Sequence, residues 1–244
     1  MNIIKVQDYK EMSQSAANIV IRKVKENSKI KLGLATGGTP KGTYDTLIED
    51  HMQNNTSYEN VTSFNLDEYI GLDSNDPNSY HYYMDQSLFA HININNEQTY
   101  LPNGTADNLD KECTRFDKMI ETLGGIDLQI LGIGQNGHIG FNEPGTSFSS
   151  GTHVVALEES TRQANARYFD SIDEVPTHAI TMGIATIMKS KEILLLISGE
   201  EKAETLKKLI HGEITEEFPA SILKKHNNVT IIADQKALSG VLIP

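Results

Sequence analysis

The chain has 244 residues, 38% hydrophobic and 22% charged, a balance that suits one folded domain spanning residues 1–244 and excludes an intrinsically disordered chain. A formal net charge of −12, from 33 Asp and Glu against 21 Lys and Arg with no basic block, argues against nucleic acid and anionic membranes as partners. A lone Cys113 leaves no disulfide framework or multi-cysteine metal site, the first twelve residues lack an apolar signal core, and no run nears the roughly 18 apolar residues of a spanning helix, so a cytoplasmic protein is expected.

Short apolar runs alternate with longer amphipathic ones. Ile3–Val6 reads as a strand and Asp8–Glu26 as a helix with apolar residues at helical spacing. Lys29–Ala35 is a strand feeding a Gly-rich turn, Pro40–Gln53 the next helix, and Val61–Leu66 a strand that ends at Asp67. Helices are expected over Ser79–His91 and Ala106–Leu123, and an apolar strand over Leu128–Ile133 runs into a second Gly-rich loop. Glu192–Ser198 and Val229–Ala233 read as fully buried strands, the first followed by a helix over Glu200–His211. Strands alternating with helices predict an α/β fold, a mostly parallel sheet with helices on both faces. Ligands of such sheets bind beyond the carboxyl ends of the strands.

That rule singles out four segments. In Ala35-Thr36-Gly37-Gly38-Thr39-Pro40-Lys41, the glycines let backbone approach a ligand, while Thr39 and Pro40 fit the N-cap and first residue of a helix. Free amides at that helix end suit an anion such as phosphate; a tight, well-capped turn is the plainer alternative. In Phe64-Asn65-Leu66-Asp67-Glu68-Tyr69, neighbouring residues of a strand point to opposite faces, so one carboxylate can face the crevice as a general base while the other turns away. In Gly132-Ile133-Gly134-Gln135-Asn136-Gly137-His138-Ile139-Gly140-Phe141-Asn142-Glu143-Pro144, His138 suits proton transfer and Glu143 can orient its imidazole. Lys202, in the first turn of its helix, works against the helix dipole unless an anion lies near. Arg162 and Arg167, five apart, do not share a helical face, and neither has a role from spacing alone. The histidines show no metal-ligand spacing, no G-x-S-x-G elbow occurs, and Tyr80–Met84 reads as core or cleft wall.

The segments LATGGTP, SFNLDEY and LGIGQNGHIGFNEPG, in this order and at these separations, closely resemble the glucosamine-6-phosphate deaminases over nearly the whole chain. The resemblance implies a Rossmann-like α/β fold and the conversion of glucosamine 6-phosphate and water to fructose 6-phosphate and ammonia, a step of amino-sugar breakdown that needs no cofactor and no metal. By the same resemblance, Asp67 matches the base that moves a proton between C2 and C1. His138 matches the acid–base residue that opens the pyranose ring, and Glu143 the carboxylate that tunes it. The phosphate pocket falls on the turn Gly37-Gly38-Thr39, with Arg167 and Lys202 as its cations.

Two departures stand out. Many family members carry an aspartate two residues before the histidine, where this chain has Asn136, an amide that can hydrogen-bond but holds no charge. Hexameric relatives bind an allosteric sugar phosphate through basic residues after the Glu143 position, whereas 149–155 here contains no Lys or Arg and the chain ends soon after its last strand. A monomer or small homo-oligomer without such activation is therefore expected, with Ser149–Asp173 as a segment that moves over the substrate. A 6-phosphogluconolactonase shares the fold and a Gly-His loop but not the Phe-Asn-Glu-Pro or Asn-Leu-Asp-Glu-Tyr segments. A phosphosugar-sensing regulator would need a DNA-binding face, and sequence leaves glucosamine versus galactosamine 6-phosphate open.

Overall fold

In the computed structural model, which describes residues 1–242, the first half of the chain runs β1 (Asn2–Val6), α1 (Tyr9–Glu26), β2 (Lys31–Leu34), α2 (Gly38–Asn54), β3 (Thr62–Asn65), β4 (Asp67–Tyr69), α3 (Tyr80–Ser87), β5 (Thr99–Tyr100) and α4 (Leu109–Thr122). The second half runs β6 (Leu128–Leu131), β7 (His153–Ala156), α5 (Glu159–Asn165), β8 (His178–Thr181), α6 (Ile184–Met188), β9 (Glu192–Ile197), α7 (Ala203–His211) and β10 (Val229–Asp234). Local chemistry sets the helix starts. Asp8, Ser79 and Asn108 each accept a backbone N–H of the following first turn, capping α1, α3 and α4. The expected helix Ser79–His91 is split, because Leu88 (φ −150°, ψ −57°) leaves helical geometry after α3 and a separate 3₁₀ turn covers Phe89–His91. The helix expected from Ala106 starts only beyond its Asn108 cap.

Seven strands form one parallel sheet in the order β1-β10-β9-β6-β2-β3-β5. From β2 the chain steps outward to β3 and β5; from β6 it steps the other way to β9 and β10. The reversal lies between the adjacent strands β2 and β6, which is where such a sheet opens a crevice at its carboxyl edge. Strand alternation divides the core between the two faces. Leu194 and Leu196 of β9 join α1, α2 and α3 residues such as Val20, Leu47 and Met84 on one face. Ile193, Leu195 and Ile197 join Phe116 of α4, Ile187 of α6 and Leu206 of α7 on the other.

A second sheet of three antiparallel strands, β4-β8-β7, is not legible from the sequence patterns. The hand-over between the sheets occurs at one residue. The Leu66 amide still donates to Leu34 O of β2, but its carbonyl accepts Met182 N at the end of β8. Asn65 therefore ends the large sheet and Asp67 begins the small one.

Gly33 of β2 is required by packing rather than by backbone conformation. A Cβ there would lie 2.0 Å from Oε1 of Gln129, a fully buried side chain of β6. Gly33→Ala is expected to destabilise the protein by about 1–3 kcal/mol and to lower its melting temperature by about 2–4 °C per kcal/mol. A wild-type melting curve would show that the sheet has slack at this crossing.

Candidate active site

The loop after β2 turns at Gly37, whose φ of +87° favours glycine, and α2 begins at Gly38 with no side-chain cap. The expected Thr39 cap is thus displaced: the glycine turn starts the helix two residues early and puts Thr39 inside its first turn. The backbone amides of Gly38 and Thr39 stand among the first N–H groups of a helix, which have no intrahelical acceptor.

Asp67, 5% exposed, faces the crevice. Burial, reinforced by the neighbouring Glu68 carboxylate, pushes its pKa up to about 8. Glu68, 1% exposed, turns to the opposite face as strand alternation predicts. It accepts the backbone N–H groups of Tyr69, Tyr80 and His81 and contacts His81 Nδ1 at 2.7 Å, which anchors the start of α3. Tyr80 and Phe141 stack against each other and Tyr69 packs on both, forming the apolar wall beside Asp67.

The loop after β6 holds His138. The His138 ring lies over Gly134, where a Cβ would come within 2.3 Å of the imidazole. His138 Nδ1 is 3.4 Å from Glu143 Oε2, an ion-pair distance without the alignment of a formed hydrogen bond, and among the described residues Nδ1 has no hydrogen-bond partner. Glu143 is buried and fully engaged. Asn136 Nδ2 donates to its Oε2 at 2.8 Å and the Thr161 hydroxyl to its Oε1 at 2.5 Å. Burial alone would raise the Glu143 pKa, but His138, Thr161 and Asn136 together outweigh it and hold the carboxyl below its usual range. The neighbouring Asn142 is structural: its amide donates to the Ile139 and Met182 carbonyls, tying the loop to the end of β8. Gly140 (φ +58°) closes the same turn within 3.5 Å of Asp67 Oδ2, measured from the Cβ it lacks.

Arg167 and Lys202 approach from two further segments. Arg167 lies in a 3₁₀ turn, Ala166–Tyr168, with its guanidinium 5.1 Å from the centre of the Tyr168 ring. Lys202 ends a 3₁₀ turn, Glu200–Lys202, and precedes α7, so the expected helix starts later than its sequence pattern suggests. Its Nζ donates to Ile133 O at 2.8 Å, and burial together with the Arg167 charge lowers its pKa. Arg162, by contrast, donates to the Ile172 and Val175 carbonyls and braces its own segment. Within the expected mobile segment, β7 pairs antiparallel with β8.

A cavity of about 1020 Å³ is lined by Gly37, Gly38, Thr39, Asp67, Asn136, His138, Arg167 and Lys202. Glu143 stands behind His138 rather than on the cavity wall. Tyr80, from the aromatic stretch expected as core or cleft wall, and Phe141, from the loop after β6, also line it; Thr161 does too and carries no local sequence signal, because only the fold brings it to Glu143. Among the described residues, no cluster of three or more His, Cys, Asp or Glu is placed to hold a metal ion.

Residues 7–232 match the model of a family described as glucosamine-6-phosphate isomerases/6-phosphogluconolactonase. The chain is 60% identical over 243 residues to the glucosamine-6-phosphate deaminase of Halalkalibacterium halodurans, covering 100% of this chain and 99% of the relative. It is 56% identical to glucosamine-6-phosphate deaminase 1 of Bacillus subtilis, covering 98% and 99% respectively. A solved monomeric glucosamine-6-phosphate deaminase, placed in the NagB superfamily, superposes with a TM-score of 0.97 at 56% identity, over 98% of this chain and 99% of that one. The 6-phosphogluconolactonase of Trypanosoma cruzi, at 20% identity and a TM-score of 0.81 over 99% and 97% of the two chains, shares the fold.

The raised pKa of Asp67 has a consequence for stability. A folded-state pKa of about 8 lies above that of the unfolded chain, so stability present at low pH is lost as pH rises toward 8. Asp67→Asn should melt at the wild-type temperature near pH 4 and several degrees higher near pH 8, a gain on the order of a few kcal/mol. A difference that does not change with pH would place an ionised Asp67 in the folded protein.

Proposed function

The chain belongs to the glucosamine-6-phosphate isomerase/6-phosphogluconolactonase family, and we propose that it isomerises and deaminates glucosamine 6-phosphate to fructose 6-phosphate and ammonia in amino-sugar breakdown. The observation that carries this reading is convergence. A buried carboxyl, an imidazole backed by a carboxylate, and two cations beside free helix amides line or back one cavity of sugar-phosphate size.

In this reading the phosphate lies against the amides of Gly38 and Thr39, with Arg167 and Lys202 balancing its charge. That contact is remote from the reacting carbons, so its binding energy serves to position C1 and C2. His138 takes the proton of O1 and returns it to O5, opening the ring, while Glu143 opposite Nδ1 stabilises the imidazolium formed between the two transfers. Asp67 removes the C2 proton and delivers it to C1, while the substrate's ammonium gives up a proton to O1 and is left as a C2 iminium. That iminium adds water, and the C–N bond breaks as ammonium leaves. Asn136 contributes an amide hydrogen bond to Glu143 and no charge.

The base must be ionised to act. kcat/KM should therefore climb as pH rises toward about 8, where the buried Asp67 gives up its proton. Ammonia release from glucosamine 6-phosphate by the purified protein tests the activity. Asp67→Asn tests the base: exchange of the C2 proton with solvent should fall by about 10²-fold or more while substrate still binds. Retained exchange would remove Asp67 from that role, and hydrolysis of 6-phosphogluconolactone without ammonia release would overturn the whole reading.

The same reading makes the protein a single cytoplasmic domain, active as a monomer or small oligomer. It rests on the absence of Lys and Arg from residues 149–155, where allosteric members place their basic effector site. Hyperbolic kinetics, unaltered by N-acetylglucosamine 6-phosphate, together with a small species by light scattering are expected. Sigmoidal kinetics relieved by that sugar phosphate would contradict it.

A further inference from the structure

Three tyrosines from three helices converge on the backbone of the loop after β2. Tyr44 Oη donates to Ala35 O at 2.5 Å, Tyr83 Oη to Gly37 O at 2.6 Å, and Tyr9 Oη to Gly38 O at 2.8 Å. Tyr44 is fully buried within α2, while Tyr83 comes from α3 and Tyr9 from the start of α1. Neither Tyr44 nor Tyr83 lines the cavity, so both hold their carbonyls from behind it. Tyr9 reaches the loop from the rim, and its hydroxyl also accepts Gly42 N at 2.9 Å, so both its hydrogen-bonding roles are used inside the first turn of α2. Gly42 makes this approach possible: a Cβ there would stand 3.1 Å from the Tyr9 ring and 2.5 Å from Ser13 Oγ.

A trans peptide is planar, so each carbonyl points opposite to the N–H of the next residue. No peptide among those described is cis. Holding the Gly37 carbonyl therefore fixes the direction of the Gly38 N–H, and holding the Gly38 carbonyl fixes that of the Thr39 N–H. Those are the two amides to which the proposed function assigns the phosphate.

We propose that Tyr83 and Tyr9 are positioning residues for the anion: their hydroxyls hold the Gly37 and Gly38 carbonyls so that the following two amides stay aimed at the substrate's phosphate before it arrives. The gain is preorganisation. The first turn of α2 already bonds these carbonyls; each hydroxyl adds a second donor, which stiffens the turn against rotations that would aim a carbonyl into the cavity and repel the anion. The inference rests on the phosphosugar reading of the cavity.

The test uses Tyr83→Phe and Tyr9→Phe, with Tyr82→Phe, an exposed neighbour on α3, as control. Each variant is compared with the wild type for KM and kcat with glucosamine 6-phosphate, for inhibition by inorganic phosphate, and for melting temperature. Each loss of a hydroxyl should raise KM and the inhibition constant of inorganic phosphate together, by roughly three- to tenfold, with kcat within about twofold. The control should match the wild type. Unchanged phosphate affinity in both variants, or a fall in kcat alone, would overturn the proposal. Failure of both to fold would do the same, by showing a merely structural role. The two readings fail separately when phosphate affinity is also read from the rise in melting temperature on adding inorganic phosphate: a wild type that releases no ammonia, with a phosphate-induced rise that Tyr83→Phe diminishes, refutes the activity and keeps the positioning role.

Discussion

The cavity exists because β2 and β6 lie side by side and send their chains to opposite edges of the sheet. No crossover helix can cover the end of a sheet at such a reversal, so two loops face each other across an unfilled space. One carries the helix amides of Gly38 and Thr39, the other His138. Lys202, arriving from the end of β9, bonds to the Ile133 carbonyl and joins the α2 side of the cavity to the His138 side. The cavity, the helix amides and the imidazole that face it all follow from that one topological fact, and the side chains refine it.

Electrostatics then divides the labour between the carboxyl groups. Asp67 and Glu143 are both buried, yet they are driven in opposite directions. Asp67 has an apolar wall and another carboxylate for neighbours, so burial wins and it holds its proton. Glu143 receives two side-chain hydrogen bonds and faces an imidazole, so its partners win and it stays charged. An aspartate at position 136 would place a second acid 2.8 Å from Glu143; the amide found there donates instead. In the proposed function, the net charge of −12 disfavours a phosphosugar at long range, but salt screens that field within about 10 Å, and capture falls to the local cations Arg167 and Lys202.

Much of this was legible in the sequence for a physical reason. Parallel strands buried on both faces write continuous apolar runs, as in Glu192–Ser198, and glycines mark where backbone must come close. The four strand-end segments chosen on those grounds meet in one cavity. Hidden were the contacts that depend on distant pairing. The small sheet β4-β8-β7 escaped because three- and four-residue strands with mixed faces leave no periodic signal. Thr161 escaped because its hydrogen bond to Glu143 spans 18 residues. The cap assigned to Thr39 failed because a positive-φ glycine can start a helix without a side-chain cap.

The hand-over at Leu66 puts the two halves of the proposed chemistry on different frames. The anion grip belongs to the large parallel sheet, whereas Asp67 is the first residue of the small antiparallel one, held in register with Thr181. In the proposed function the distance from grip to base is thus a ruler, set where the two sheets join at Leu66, whose carbonyl accepts Met182 N. Remodelling β7 or β8 would regraduate that ruler for a shorter or longer phosphorylated chain while leaving the anion seat untouched. A fold arranged in this way can change the length of its substrate without rebuilding the part that recognises charge.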